Sequence, residues 1–250
     1  MKNRAYKNYI FDFYGTLVDI LTDEKDPVLW DKLGQLYQAY GAAYEGETLK
    51  KAYAKRVDQA RKELIELKGV AYPEIDLAHI FNQLYVDARP QSSNSNQPED
   101  WGQLIAMVFR VLSRKHVTAY PHTKEVLAFL KEQGCRIYLL SNAQAAFTNA
   151  EIDLMALRSY FDAIYFSSDA GICKPQPEFL KQVLDDYGLN PSETVMVGND
   201  LTTDIAVAEA VGIDGILLNT FPYSRRELEN SPIKPDRVIT DIEALKTNFT

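Results

Sequence analysis

The sequence predicts an α/β protein: a doubly wound parallel sheet interrupted after its first strand by a four-helix bundle. Three observations carry this. Apolar runs at Tyr9-Ile10-Phe11, Arg136-Ile137-Tyr138-Leu139-Leu140, Ala163-Ile164-Tyr165-Phe166, Thr194-Val195-Met196-Val197 and Gly215-Ile216-Leu217-Leu218 are continuous rather than alternating, as in strands buried on both faces. Each run ends on a turn signal, and helical stretches separate the later ones, the texture of a parallel sheet covered by helices. From about residue 27 to 117 the chain holds helical spacing with no convincing strand, so the first strand is set apart from the rest.

The four helices of the insertion follow in order. Leu29, Trp30, Leu33, Leu36, Tyr37 and Tyr40 form one stripe, closed by Gly41. Leu49, Ala52, Tyr53, Arg56, Val57, Ala60, Leu64 and Leu67 form a longer one ending at Gly69. Leu77, Ile80, Phe81, Leu84 and Tyr85 fit the i, i+3, i+4 rule, and Trp101, Leu104, Ile105, Val108 and Leu112 mark the fourth. Between the third and fourth, the polar, Pro-bounded stretch from Arg89 to Pro98 reads as a surface loop. After Tyr120-Pro121 strands and helices alternate. Ser224-Arg225-Arg226-Glu227 is a capping box opening a late helix, and Arg237-Val238-Ile239 is an edge-strand candidate. The expected division is residues 1–20 and 117–250 as the sheet core and 21–116 as the helical insertion.

At 250 residues, 46% hydrophobic and 25% charged, the chain is an ordinary globule long enough for one large domain with an insert. A net charge of −8 disfavours wholesale binding to nucleic acid or an anionic membrane. No apolar stretch approaches 18 residues, so no transmembrane helix is expected, and the basic start lacks a signal-peptide run. Cys135 and Cys173 are then expected to be reduced thiols and the cytoplasm is the default compartment. The sequence carries no signal for oligomeric state.

Ligands of an open parallel sheet sit beyond the carboxyl ends of its strands. Four polar clusters fall there: Asp12, Ser141-Asn142, Cys173-Lys174-Pro175 and Gly198-Asn199-Asp200. Singly each is ordinary, a turn, an N-cap or a solvated loop; their convergence is the signal. An aspartate at a strand end, followed by a glycine break and Thr16, suits a nucleophilic carboxylate with an anion beside it.

Taken in order, Asp12-Phe13-Tyr14-Gly15-Thr16-Leu17-Val18-Asp19, Leu139-Leu140-Ser141-Asn142, Gly171-Ile172-Cys173-Lys174-Pro175-Gln176-Pro177 and Val197-Gly198-Asn199-Asp200-Leu201-Thr202-Thr203-Asp204 resemble the haloacid dehalogenase-like hydrolase superfamily. The resemblance implies a Rossmann-like core, with the insertion as a helical cap. It implies Asp12 as nucleophile, and Mg²⁺ held by Asp12, the backbone carbonyl of Tyr14 and an oxygen donor of the fourth motif, Asn199 or Asp200. Phosphate oxygens would meet Thr16, Ser141 and the N–H groups around Gly15 and Asn142. Lys174 would neutralise two approaching anions, and Asp204 would orient the lysine or a metal-bound water.

Two departures divide the reading. Phosphatases of the family usually carry an acid/base aspartate where this chain has Tyr14, a phenol and hence a poor base at neutral pH; the family's 2-haloacid dehalogenases have tyrosine there, and halide leaves without a proton. In the fourth motif Asn199 takes the usual metal-ligand register, while Asp200 and Asp204 fit a shorter Asp-x-x-x-Asp spacing that favours a divalent cation. The leading expectation is Mg²⁺-dependent hydrolysis of a small phosphomonoester through an aspartyl-phosphate. A 2-haloacid dehalogenase, or a catalytically weak phosphate-binding regulator, is the alternative. His79, His116 and His122 lack ligand spacing, Cys173 reads as a passive small residue, and Lys50-Lys51, Lys55-Arg56 and Arg61-Lys62 read as a solvated helix face. No arginine of the insertion stands in an obvious halide-cradling setting.

Overall fold

The computed structural model of the chain describes residues 6–89 and 98–249; most of the Ser/Asn loop lies outside them. Strand β1 (Asn8–Phe11) leads into β2 (Val18–Thr22), then helices α1 (Pro27–Ala39), α2 (Gly46–Lys68), α3 (Leu77–Ala88) and α4 (Trp101–Ser113). The chain continues through β3 (Arg114–Ala119), α5 (Thr123–Glu132), β4 (Arg136–Ser141), α6 (Ala145–Leu154), β5 (Ala163–Phe166) and the short α7 (Ser167–Ala170). Next come α8 (Pro177–Tyr187), β6 (Thr194–Gly198), α9 (Ala206–Val211), β7 (Asp214–Leu218), α10 (Arg225–Asn230) and β8 (Arg237–Ile239). A π-helical turn, Leu201–Ile205, separates β6 from α9.

Six strands form one parallel sheet in the order β5-β4-β1-β6-β7-β8. The chain winds outward one way through β4 and β5 and the other way through β6 to β8, so β1 sits at the switch point where such sheets open a crevice. Side chains alternate across the sheet with period two. Tyr9, Phe11, Ile137, Leu139, Val195 and Val197 pack with Val126, Leu127 and Leu130 of α5 on one face. Ile10, Tyr138, Leu140 and Met196 pack with Phe179, Leu180 and Val183 of α8 on the other. Being buried on both sides, β1, β4, β6 and β7 need the unbroken apolar runs noted above, whereas the edge strand β5 is part-buried. β8 is the short edge strand expected from Arg237-Val238-Ile239.

The inserted helices pack most of their stripes against one another, with Leu33, Tyr37, Phe81, Tyr85, Trp101 and Phe109 among their core, whereas Leu67 and Leu104 of the expected stripes are exposed. Asp26 caps α1 and Asp76 caps α3 through their carboxylates, and Gly69, with φ 63°, ends α2. The capping box at Ser224 and Glu227 forms. Among the described residues no helix is long and apolar enough to cross a membrane.

One expectation is corrected. β2 and β3 pair antiparallel as a two-stranded ribbon, so a strand stands inside the stretch read as purely helical. The points 20/21 and 116/117 both fall within this ladder. Apart from the buried Val18 its residues are half or fully exposed, and β3 carries Arg114, Lys115 and His116, so it lacks the apolar run that marks a buried strand.

Candidate active site

Asp12 directly follows β1, its N–H donating to the carbonyl of Val197 at 3.0 Å. The chain then turns tightly: Leu17 and Val18 N–H groups return to the carbonyl of Phe13 at 2.9 and 3.1 Å, and Gly15 adopts φ 80°. That glycine is required twice over. Its backbone lies in the left-handed region, and a Cβ there would stand 2.4 Å from the amide nitrogen of Asn199. The buried Thr16 hydroxyl lies 3.2 Å from both Asp12 Oδ2 and Asn199 Oδ1, joining the first and fourth motifs.

Lys174 is locked from two directions. The Asn142 side chain accepts from its N–H at 2.8 Å and donates to its carbonyl at 2.9 Å. Its ammonium, fully buried, donates at 2.7 Å to Asp12 Oδ1, Asp204 Oδ1 and the carbonyl of Leu140. Burial opposes a charge here, but the carboxylates of Asp12 and Asp204 outweigh it and hold the ammonium above its usual range. One ammonium does not fully compensate two carboxylates. Burial pushes Asp204 up to about 6 although Lys174 pulls it down, with Asp12 adding to the rise. Ser141 donates to Asp12 Oδ1 at 3.3 Å. Asp204 Oδ2 accepts from the Asp200 N–H at 3.1 Å and leaves no room for a Cβ at Gly198, which would lie 2.2 Å away.

Asp200 caps the turn that follows it. Its Oδ1 accepts from the Thr202 and Thr203 N–H groups at 2.6 and 3.0 Å and from the Thr202 hydroxyl at 2.7 Å. Asp12, Tyr14, Ser141, Asn142, Lys174, Asn199, Asp200 and Asp204 line one polar cavity of about 230 Å³, so residues from all four sequence motifs converge. Its oxygen donors fit a hard divalent cation. Among the described residues no three His, Cys, Asp or Glu side chains gather into a metal cluster. The donors that the resemblance implies, Asp12, Tyr14 and Asn199 or Asp200, all line this cavity, and a set so sparse would leave a bound Mg²⁺ several of its waters.

The Tyr14 phenol leaves this group. It donates to Glu151 Oε2 and stands 3.1 Å from the Thr148 hydroxyl, on α6. Burial first, and Glu151 beyond the opposing effect of Arg110, raise the phenol far above its usual range. Arg110 of α4 lies over the Tyr14 ring at 5.0 Å and over the Phe147 ring at 4.7 Å, geometry suited to cation–π attraction. An arginine from the insertion thus does reach this region, but Glu151 already occupies it. Sequence reasoning missed Arg110 and Glu151: Arg110 falls on the face opposite the stripe read for the fourth helix, and Glu151 lies on α6, for which no stripe was read.

A second connection was also invisible. Gln144 accepts from the Leu77 N–H at 2.9 Å and donates to the Ile75 carbonyl at 2.8 Å. Beside it the Cys173 N–H donates to the Tyr72 carbonyl at 3.0 Å and Pro73 bridges Ile172. The loop between α2 and α3 therefore clasps the segments that carry Asn142 and Lys174.

The remaining candidates stay outside the site. His116 pairs with Asp19 and His122 with Asp241, while His79 lines a separate cavity. Cys173 is a free thiol pushed up to about 11 by burial and by Glu74. On α2, Lys51 pairs with Glu47, Arg56 with Asp87 and Lys62 with Asp58, the solvated face expected.

A family model described as haloacid dehalogenase-like hydrolase matches residues 6–212. A ribulose-1,5-bisphosphate 5-phosphatase of Halopiger xanaduensis is 31% identical over 130 residues, 52% of each chain. A glyceraldehyde 3-phosphate phosphatase of Pyrococcus furiosus is 27% identical over 191 residues, 75% of each chain. The chain spans about half the length of several curated relatives it matches. Among solved structures, a 2-haloacid dehalogenase of Pseudomonas syringae superposes with a TM-score of 0.66 at 19% identity over 98% of both chains. A HAD phosphatase of Thermococcus onnurineus does so with 0.62 at 18% over 97% of both. At these identities the likeness concerns the fold.

Proposed function

The chain belongs to the haloacid dehalogenase-like hydrolase family, and from that premise we propose a Mg²⁺-dependent phosphatase of a small phosphorylated metabolite, working through an aspartyl-phosphate on Asp12. The observation that carries the reading is the buried chain of Asp12, Lys174 and Asp204, with both contacts at 2.7 Å. A carboxylate so anchored has one oxygen held by Lys174 and Ser141, while Oδ2 faces the Thr16 hydroxyl. Asp12 attacks phosphorus in line, the bond to the leaving oxygen breaks, and water later releases phosphate and restores the carboxylate. Lys174 reduces the repulsion between two anions at contact distance. Ser141, Thr16 and the backbone N–H groups around Gly15 and Asn142 hold the nonreacting oxygens. Asp12, the Tyr14 carbonyl and Asn199 or Asp200 would hold Mg²⁺, which when bound supplies positive charge to the phosphoryl oxygens.

Phosphatases acting on small phosphorylated metabolites among the relatives support the class. The test is phosphate release from a panel of phosphorylated metabolites with Mg²⁺ or with EDTA. Release that needs Mg²⁺ and disappears in Asp12→Asn is expected; release unaffected by either change rejects the reading. Tyr14 and the nearby Arg110 favour a second reading, 2-haloacid dehalogenation. Halide release from 2-chloropropionate persisting in EDTA would establish it. Tight phosphate binding with neither activity would instead make the chain a regulator.

A further inference from the structure

Among the described residues, the titratable side chains that line the cavity with Asp12 are each engaged elsewhere or serve as candidate metal donors. The Tyr14 phenol donates to Glu151, away from Asp12. The Lys174 ammonium spends its three hydrogens on Asp12, Asp204 and Leu140. Asp204 lies behind that lysine, 2% exposed. Asp200 Oδ1 receives three donors. Ser141 and Thr16 turn their hydroxyls toward Asp12, and Asn142 clasps the Lys174 backbone. The three histidines lie elsewhere, two of them against Asp19 and Asp241. The cavity, in short, has a nucleophile and a well-built anion seat but, among the described residues, no side chain placed as a general acid.

Resting on the phosphatase reading, we infer that the substrate carries its phosphoryl group on an oxygen that departs as a stable anion, an acyl phosphate or a phosphoanhydride, rather than on an alkyl alcohol. An Asp12 oxygen forms a bond to phosphorus while the bond to the leaving oxygen breaks. The electron pair leaves on that oxygen, as a carboxylate or a phosphate, and no proton is required. Water then attacks phosphorus, the bond to Asp12 breaks, and the proton passes to the departing inorganic phosphate. An alkoxide cannot leave so easily, and a missing general acid costs an alkyl ester about 10² to 10⁴ in rate. The same lack of a base slows the water step, so the aspartyl-phosphate accumulates.

The test is kcat/KM for the intact protein with Mg²⁺ on acetyl phosphate, pyrophosphate, 4-nitrophenyl phosphate, phenyl phosphate and ethyl phosphate. The expected result is a steep fall with decreasing acidity of the leaving group, ethyl phosphate lying about 10² to 10⁴ below the better of the first two. Which of those two is hydrolysed faster separates the acyl from the anhydride source. A stopped-flow burst of about one nitrophenol per site accompanies the fall. Ethyl phosphate within about tenfold of the best substrate, on a flat profile, overturns this inference and leaves the phosphatase reading standing. No release from any of the five overturns both.

Discussion

The phenol of Tyr14 donates to the carboxylate of Glu151, 137 positions further along the chain. That carboxylate also accepts from Arg110 Nε at 2.8 Å and Nη2 at 3.1 Å, and from Arg114 Nη1 at 2.8 Å. Tyr14 thereby ties the loop carrying Asp12 to α6 in the core and to α4 in the insertion. A side chain at the place of a proton donor serves instead as a strut between two parts of the molecule.

Breaking this strut should cost stability. Glu151 and Arg110 are both nearly buried, and removing one partner of a buried pair strands the other, at about 3–5 kcal/mol. Glu151→Ala is expected to lose that much in urea unfolding. Arg114→Ala, at a position 24% exposed, is expected to lose about 1 kcal/mol or less. Burial pushes the Glu151 carboxyl up, but Arg110 and the other donors outweigh it and hold it below its ordinary value. Its contribution is therefore fully present above the ordinary carboxylate range and lost as pH falls through the lowered value. Equal losses in the two variants would contradict this division.

How much of this was legible beforehand follows from the range of each interaction. The strands β1, β4, β6 and β7 announce themselves because burial on both faces demands unbroken apolar runs. Asp12, Ser141, Lys174 and Asp204 could be grouped because strand ends of a parallel sheet share one edge. The ribbon of β2 and β3 could not, since a half-exposed ladder tolerates Arg114, Lys115 and His116. Nor could the destination of the Tyr14 phenol: its partner is fixed by how α6 and α4 pack, and no local spacing encodes that. Nor does local spacing flag Gln144, whose partners Leu77 and Ile75 lie 67 and 69 positions earlier.

Gly15→Ala should damage the site more than the fold. The backbone at φ 80° costs a side chain about 1–2 kcal/mol, a modest loss in thermal or urea unfolding. The added methyl meets the Asn199 amide at 2.4 Å, and that amide is free to swing aside. Swinging breaks the contact with Thr16 and shifts an oxygen donor by about 1 Å, enough to cost about 10²-fold in turnover. Unchanged kcat/KM in a variant that still folds would show that Asn199 has no part in the site.

His122 gives a pH signature in stability. It opens α5 with φ 63° and meets Asp241 at 3.1 Å, and the bond to that carboxylate raises its pKa above the ordinary value. A raised folded pKa means the stabilisation is fully present below the unfolded value and disappears as pH rises through the folded one. His122→Asn keeps a residue that tolerates the left-handed backbone but cannot titrate. The gap in Tm between the two proteins is expected to be wider at pH 5.5 than at pH 8.5; an identical gap at both would refute the pairing.

Lys174 should couple to Asp204 far beyond simple addition. Lys174→Met leaves Asp12 and Asp204 facing each other in a buried site with no cation between them, at a cost of about 3–5 kcal/mol. Asp204→Asn leaves the ammonium its contacts with Asp12 and the Leu140 carbonyl, each at 2.7 Å, so the loss is smaller. In the double variant the carboxylate that suffered most from loss of the cation is gone, so part of the first cost is relieved. The cycle, read by urea unfolding, is expected to give a coupling of about 1–3 kcal/mol. Phosphate release is expected to be lost in both variants that lack the lysine, because stability regained through Asp204→Asn supplies no charge against the incoming anion. Additive losses would mean that Lys174 answers to Asp12 alone and that Asp204 holds only the turn after β6.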